Sequence, residues 1–353
     1  MSSEGKDQIF KYPVEIGIDN SGKPFSVSAY DLQGLNIIVG LKGTGKSHLA
    51  KAILLGLTKH RGGCLVLDIN DEYSRLYIGR GGKPKEEYQE LFVTLKPGGD
   101  LKFPLPDIKT DVLVNIMEAL GLKDASLAEF SDIVKTVKPS SLKKLKKEVK
   151  SVKSASVKNA ILRRIKMLED TKLIDDKLEE GTLENLLSQL GDGKTLVVNL
   201  KGLSKVTMRT TVQVLLSNIT SLLEKRKLEP IFLFAEEAQM YIERTDIEDL
   251  VTRMRHLGIW QFYITNTPTS LPELLVRQTD NLFCFYLSLP DDVKYIAPAS
   301  GLEPEILQKI VAALSPRRFL AVGRVTENYP IALETMELDV VTAGKTRLRF
   351  ERP

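Results

Sequence analysis

The sequence predicts an α/β fold, a mainly parallel sheet flanked by helices and carrying a helical insertion. Three observations lead there. From residue 36 onward, apolar runs of strand length alternate with longer helical patterns, the sequence form of a parallel sheet covered by helices. A glycine-rich loop joins the first such run to a helix with apolar periodicity. Between the second and third runs lies a stretch too long for an ordinary crossover, with apolar residues at three-and-four spacing.

The elements follow in chain order. Residues 1–6 contain no apolar stretch able to act as a signal peptide. Residues 14–18 and 25–27, joined by Asp19-Asn20-Ser21-Gly22-Lys23-Pro24, read as a strand pair suited to covering a sheet edge. Near-continuous apolar runs at 36–39, 64–67, 195–200, 231–234 and 260–264 read as strands buried on both faces, and 282–287 and 319–322 are candidates to extend the sheet.

The stretch 101–193 reads as an insertion of two to four helices, packed on or beside the core. Leu142, Leu145, Val149 and Val152 form one apolar stripe, and Val157, Ile161, Ile165 and Leu168 another, with lysines on the opposite face. Pro104, Pro106 and Pro139 punctuate it. The expected organisation is a lead-in over 1–30, a discontinuous core over 31–100 and 194–340, the insertion over 101–193, and a tail over 341–353.

Hydrophobic residues make up 42% of the 353, enough for a large core without disulfides. The two cysteines, Cys64 and Cys284, sit inside apolar runs as small hydrophobes, which points to a reducing, cytoplasmic setting. No apolar run approaches the roughly 18 residues of a spanning helix, so no membrane insertion is expected. The 50 basic and 46 acidic residues nearly cancel, but their distribution is uneven: 13 Lys or Arg against three acids lie between Lys135 and Lys172. A basic helix face is ordinarily a solvated one, and no aromatics interleave as a nucleic-acid stacking platform requires.

The segment Gly40-Leu41-Lys42-Gly43-Thr44-Gly45-Lys46-Ser47 has the phosphate-loop pattern Gly-x-x-x-x-Gly-Lys-Ser. Chance matches arise in roughly one chain in a hundred of this length, and here a strand precedes and a helix follows, which makes a plain glycine turn a poor alternative. The cofactor-binding candidates are Gly40, Gly43, Thr44, Gly45, Lys46, Ser47 and His48. Lys46 is expected to meet the β- and γ-phosphates of ATP, and Ser47 to offer its hydroxyl to Mg²⁺.

A second half-site is needed for the metal and the attacking water. Ile231-Phe232-Leu233-Phe234-Ala235-Glu236-Glu237 supplies a buried strand that delivers two carboxylates to the carboxyl edge of the sheet, where parallel sheets bind ligands. Glu236 is the candidate metal ligand beside Ser47, and Glu237 the candidate general base. Alone, such a pair is more often a helix start; joined to a phosphate loop it reads as catalytic. His48, His60 and His256 have no metal-ligand spacing with the cysteines.

These residues resemble the HerA/FtsK superfamily of ring-forming DNA-translocating ATPases, and its HerA branch in particular. Besides the phosphate loop, Leu67-Asp68-Ile69-Asn70-Asp71-Glu72-Tyr73 is similar to the second-strand motif of that family, and Ala235-Glu236-Glu237-Ala238-Gln239 to its Glu-Glu-Ala-His, with Gln239 in place of His. Arg255-His256-Leu257-Gly258-Ile259 and Thr265-Asn266-Thr267-Pro268 match its Arg-x-x-Gly-Ile and Thr-Gln-Arg-Pro, with Asn266 in place of Gln and Thr267 in place of Arg. HerA proteins usually begin with a small β-barrel, and the roughly 35 residues ahead of this phosphate loop are expected to be too few for one.

The resemblance implies a RecA-like P-loop NTPase core, a homo-hexamer, and an ATP-driven motor acting on double-stranded DNA. It makes Asn266 the γ-phosphate sensor and Arg255 the candidate arginine finger reaching the neighbouring subunit, with Arg253, Arg277, Arg317 and Arg318 as rivals. Lys201, Lys205 and Arg209 are channel candidates, although surface charge on a helix is the simpler account of them. A nuclease, transfer or packaging partner is compatible with the same motor. A nucleotide-gated interaction module is the alternative of another class, and the intact Lys46, Ser47, Glu236 and Glu237 argue against it.

Overall fold

The computed structural model describes residues 11–241 and 250–342. Residues 1–10 of the expected lead-in and 343–353 of the expected tail lie outside the described residues. Two compact units emerge. The first holds residues 11–94 and 190–201 and the described residues from 230 onward; the second holds 95–189 and 202–229.

The first unit is built on an eleven-stranded sheet in the order β2-β1-β11-β10-β9-β3-β8-β7-β4-β6-β5. Its strands are β1 (Pro13–Ile18), β2 (Pro24–Ser28), β3 (Leu35–Val39), β4 (Cys64–Asp68), β5 (Phe92–Leu95), β6 (Thr195–Asn199), β7 (Ile231–Glu236), β8 (Ile259–Thr265), β9 (Asn281–Cys284), β10 (Arg318–Gly323) and β11 (Ile331–Glu334). From β9 through β3, β8, β7 and β4 to β6 the pairings are parallel. Every residue of β3, β4 and β7 is buried, as continuous apolar runs in a parallel sheet are.

The N-terminal pair behaves as its sequence suggests. β1 and β2 are antiparallel, and β1 joins β11, so the pair extends one edge of the sheet. Asp19 closes its turn by accepting the Ser21 and Lys23 N–H groups at 2.8 and 2.9 Å. β5 and β11 are additions to the expected strands; at four residues each they carry too short an apolar signal to stand out.

Helix α1 (Lys46–Lys59) follows β3 and buries Leu49, Ile53, Leu54 and Leu57, the positions whose periodicity announced it. Cys64 and Cys284 are buried free thiols, and burial pushes both up to about 12, which leaves them inert.

The second unit is helical: α2 (Thr110–Ala119), α3 (Asp124–Val137), α4 (Leu142–Lys150), α5 (Ala155–Asp170), α6 (Thr182–Gly191) and α7 (Lys205–Glu224). Five helices, α2 to α6, thus occupy the insertion, where two to four were expected. The two stripes read from the sequence account for α4 and α5; α2, α3 and α6 make up the five. Most of both predicted stripes is buried: Leu142, Leu145 and Val149 on α4 with Val152 just past its end, and Ile161, Ile165 and Leu168 on α5, where Val157 is half-buried.

Segment 202–229, placed by the sequence in the core as the helix after β6, groups by its contacts with this unit. Asn218 of α7 donates to the Asp107 carbonyl at 3.0 Å, and the Asp107 carboxylate accepts the Gly181 and Leu183 N–H groups at 2.7 and 2.8 Å. Among the described residues, no helix is long and apolar enough to cross a membrane.

Candidate nucleotide site

The site lies at the carboxyl edge of the central strands of the first unit. The loop between β3 and α1 needs glycine at two positions for different reasons. A Cβ on Gly40 would sit 2.4 Å from the Cβ of Phe285, and Gly45 adopts φ +119°, which only glycine takes without strain.

Gly45 is also the N-cap of α1, and neither a capping side chain nor an acidic residue occupies the first turn. Among the described residues no side chain caps its leading N–H groups, and the helix end presents partial positive charge. A helix end of this kind suits an anion.

The Lys46 side chain is buried, with its Nζ donating to the Leu41 carbonyl at 2.9 Å. Burial lowers its pKa, while Glu237, Glu236 and Glu72 pull the other way. A buried cation held by a neutral carbonyl among the described residues suits a polyanion.

Two carboxylates end β7, and the structure gives them different surroundings. Glu236 is 2% exposed and accepts the Tyr73 hydroxyl at 2.6 Å; its second oxygen, Oε2, has no hydrogen-bond partner among the described residues. Burial raises its pKa to about 7, against the lowering effect of the Tyr73 bond. An orphaned, buried carboxylate oxygen beside a phosphate loop fits a divalent cation.

Glu237 leaves the strand in the left-handed region, at φ +47°, a position a non-glycine residue holds only when its neighbours compensate. They do so through the carboxylate. Thr265 and Gln239 donate to Oε2 at 2.9 and 2.7 Å, and the Asn266 N–H donates to Oε1 at 3.2 Å. Glu237 is thereby aimed from the end of β7 by the end of β8.

The second-strand motif has a structural explanation. Asp68 accepts the N–H groups of Asn70, Glu72 and Tyr73 at 3.2, 3.0 and 2.9 Å, folding the chain back over the strand end. That fold places Glu72 2.7 Å from Lys51 of α1, and Tyr73 against Glu236. Lys51 also lies over the Tyr73 ring, 5.4 Å from its centroid.

Together these groups border a cleft of about 1120 Å³. Of the expected site residues, Gly43, Gly45, Lys46, Ser47, His48, Glu236, Glu237 and Asn266 line it. Gly40 and Thr44 shape the loop from behind, the Thr44 hydroxyl donating to the Leu41 carbonyl at 2.7 Å.

Arg255 is not brought to this cleft. It precedes β8, at the opposite edge of the sheet, and its guanidinium is 2.8 Å from Asp280. Of its rivals, Arg317 lines the cleft within the same chain and donates its backbone N–H to Thr44 at 3.0 Å. Arg277 pairs with Glu273 four residues away, and Arg318 with Asn20.

Sequence reasoning missed Arg80, Thr335 and Glu337, which also line the cleft. They come from segments without a motif.

Comparison with known proteins follows the same lines. The sequence profile of the family described as "Helicase HerA, central domain" matches residues 18–219. Among solved structures, VirB4 of Thermoanaerobacter pseudethanolicus superposes with a TM-score of 0.66 at 15% identity, over 93% of this chain and 97% of that one. The bacterial conjugative coupling protein TrwB, in an unbound form, superposes with a TM-score of 0.63 at 11% identity, over 98% and 93%. TrwB in complex with ADP and Mg²⁺ gives 0.63 at 12%, over 98% and 94%. At these identities the likeness is one of fold. No curated protein sequence matches.

Proposed function

Because the chain belongs to the family of the HerA helicase central domain, matched over more than half its length, we propose that it hydrolyses ATP in this cleft and uses the energy, as a ring of identical subunits, to move double-stranded DNA. One observation carries the ATPase reading: an uncapped helix N-terminus, a buried lysine and two differently prepared carboxylates border one cleft. TrwB, which shares the fold, has been solved with ADP and Mg²⁺.

Lys46 and the first N–H groups of α1 bind and orient the phosphates. Ser47 and Glu236 are the residues to hold Mg²⁺, which when bound supplies positive charge to the phosphate oxygens. Glu237 takes the proton of the attacking water, its carboxylate aimed by Thr265, Gln239 and the Asn266 N–H. Burial of Lys46 and Glu236 keeps bulk water from screening these charges. Arg255, outside the chain's own cleft, is the arginine we assign to a neighbour's nucleotide.

DNA contact through the phosphate backbone suits a motor indifferent to sequence. A second reading keeps the motor and makes its task conjugative transfer, favoured by the fold shared with VirB4 and TrwB over more than nine-tenths of each chain. The decisive measurement is ATP turnover with and without linear duplex DNA. A motor of either kind accelerates on DNA; turnover indifferent to DNA, at concentrations where the chain binds it, sinks the motor reading.

A further inference from the structure

The proposed function puts the phosphates at the loop, which we call the phosphate half of the cleft; the cleft is also lined by Thr335, Glu337, Val340, Val341 and Thr342 of segment 335–342, called here the strap.

The strap is tied on both sides. On the β10 side, the Thr335 N–H donates to the Arg317 carbonyl at 2.8 Å. Over α1, His48 Nε2 donates to the Met336 carbonyl at 2.6 Å. On the β4 side, Arg80 Nε donates to the Leu338 carbonyl at 2.8 Å, the Val341 N–H donates to the Ile78 carbonyl at 2.7 Å, and Lys85 lies 2.8 Å from Asp339. Leu338 and Val340 anchor it in the core, 6% and 3% exposed.

Between buried Thr335 and Leu338, Glu337 is exposed. Its carboxylate joins two guanidiniums, Arg80 Nη2 and, at 3.2 Å, Arg317 Nη1. All three side chains are about half exposed and line the cleft.

We propose that this strap forms the nucleoside half of the site, with Arg80 and Arg317 contacting base and ribose and Glu337 acting as the positioning residue that holds both guanidiniums in place. The inference rests on reading the cleft as an ATP site and goes beyond it. Phosphates are committed to the loop, so the nucleoside must occupy what remains. Its chemistry matches: planar guanidiniums stack on a flat base, and a charged triad offers donors and acceptors to ribose hydroxyls. The Arg317 backbone is bonded to Thr44, so the nucleoside half is rigidly registered to the phosphate half.

The test is calorimetric titration of the full chain with Mg-ATP and with Mg-tripolyphosphate, a probe of the phosphate half alone. Wild type is expected to bind both, ATP more tightly. Arg80→Ala and Glu337→Ala are expected to weaken ATP about tenfold while changing tripolyphosphate less than twofold. Glu337→Gln, which keeps an acceptor oxygen, should recover part of the loss.

The proposal is overturned if both alanine variants keep their ATP affinity, or if ATP and tripolyphosphate weaken in parallel. It is equally overturned if wild type binds tripolyphosphate as tightly as ATP, or not at all. Lys46→Ala separates the two readings: it should weaken both probes, and a wild type that binds no ATP refutes the ATPase reading itself.

Discussion

Tyr73 donates its hydroxyl hydrogen to Glu236 across 2.6 Å, with both side chains all but removed from solvent. The bond joins the motif after β4 to the acid ending β7. It fixes one carboxylate oxygen and leaves the other without a hydrogen-bond partner among the described residues. Glu236 therefore carries a standing cost when ionised and without a cation, since a buried charge with an unmet acceptor is unfavourable.

The first prediction follows from that cost. Burial raises the folded-state pKa of Glu236 from 4.5 to about 7. Between those values the folded chain holds a proton that the unfolded chain has released, so stability falls as pH rises. In metal-free protein the loss across the window is at most about 3 kcal/mol. Glu236→Gln should flatten it. Tyr73→Phe removes a bond that favours the ionised form and should extend the window to higher pH. Denaturant unfolding in EDTA at pH 5, 6, 7 and 8 checks this, and identical slopes in wild type and Glu236→Gln would contradict it.

Lys46 and Glu237 should separate binding from chemistry. Lys46→Ala is expected to abolish turnover and weaken nucleotide binding, because Lys46 is the buried cation of the loop. Glu237→Gln keeps volume and should still bind ATP while hydrolysis falls roughly 10²-fold or more. Parallel loss of binding and turnover in Glu237→Gln would make Glu237 the metal ligand and exchange its role with Glu236.

Gly40→Ala probes the loop by shape. Its Cβ would lie 2.4 Å from the Cβ of Phe285, and neither backbone can yield without moving the loop. A loss of about 1–3 kcal/mol in unfolding free energy is expected, with weaker ATP binding. Unchanged melting and binding would show that the loop relaxes.

Arg255 tests assembly. Arg255→Ala should leave ATP binding nearly intact and lower hydrolysis by roughly 10³-fold if it reaches a neighbour's nucleotide. Mixed with Glu237→Gln subunits, it should recover some turnover, because wild-type Glu237 and Arg255 then meet across some interfaces. Since Arg255 also pairs with Asp280, a purely structural role predicts lower melting with unchanged turnover per folded chain. No recovery in any mixture, with a monomeric mass in the presence of ATP and DNA, defeats the ring.

The sequence by itself determined the parallel core, its phosphate loop and the acidic pair, because each is written in contiguous residues. A buried strand is a continuous apolar run, a phosphate cradle is eight neighbouring residues, and β7 ends in its own two acids. The edge position of β1 and β2 was legible for the same reason.

What only the tertiary structure decided is everything made by distant segments. Tyr73 and Glu236 are 163 positions apart, and Arg80 and Glu337 are 257 apart. No local pattern marks a tyrosine as the partner of a particular carboxylate, nor a strap residue as the bridge between two arginines. The grouping of α7 with the insertion and the four-residue strands β5 and β11 were hidden likewise, since their burial depends on neighbours that only folding supplies. The difference between Glu236 and Glu237 is the sharpest case: adjacent and chemically identical in the sequence, they become a buried, half-satisfied oxygen pair and an aimed carboxylate because one meets Tyr73 and the other meets the end of β8.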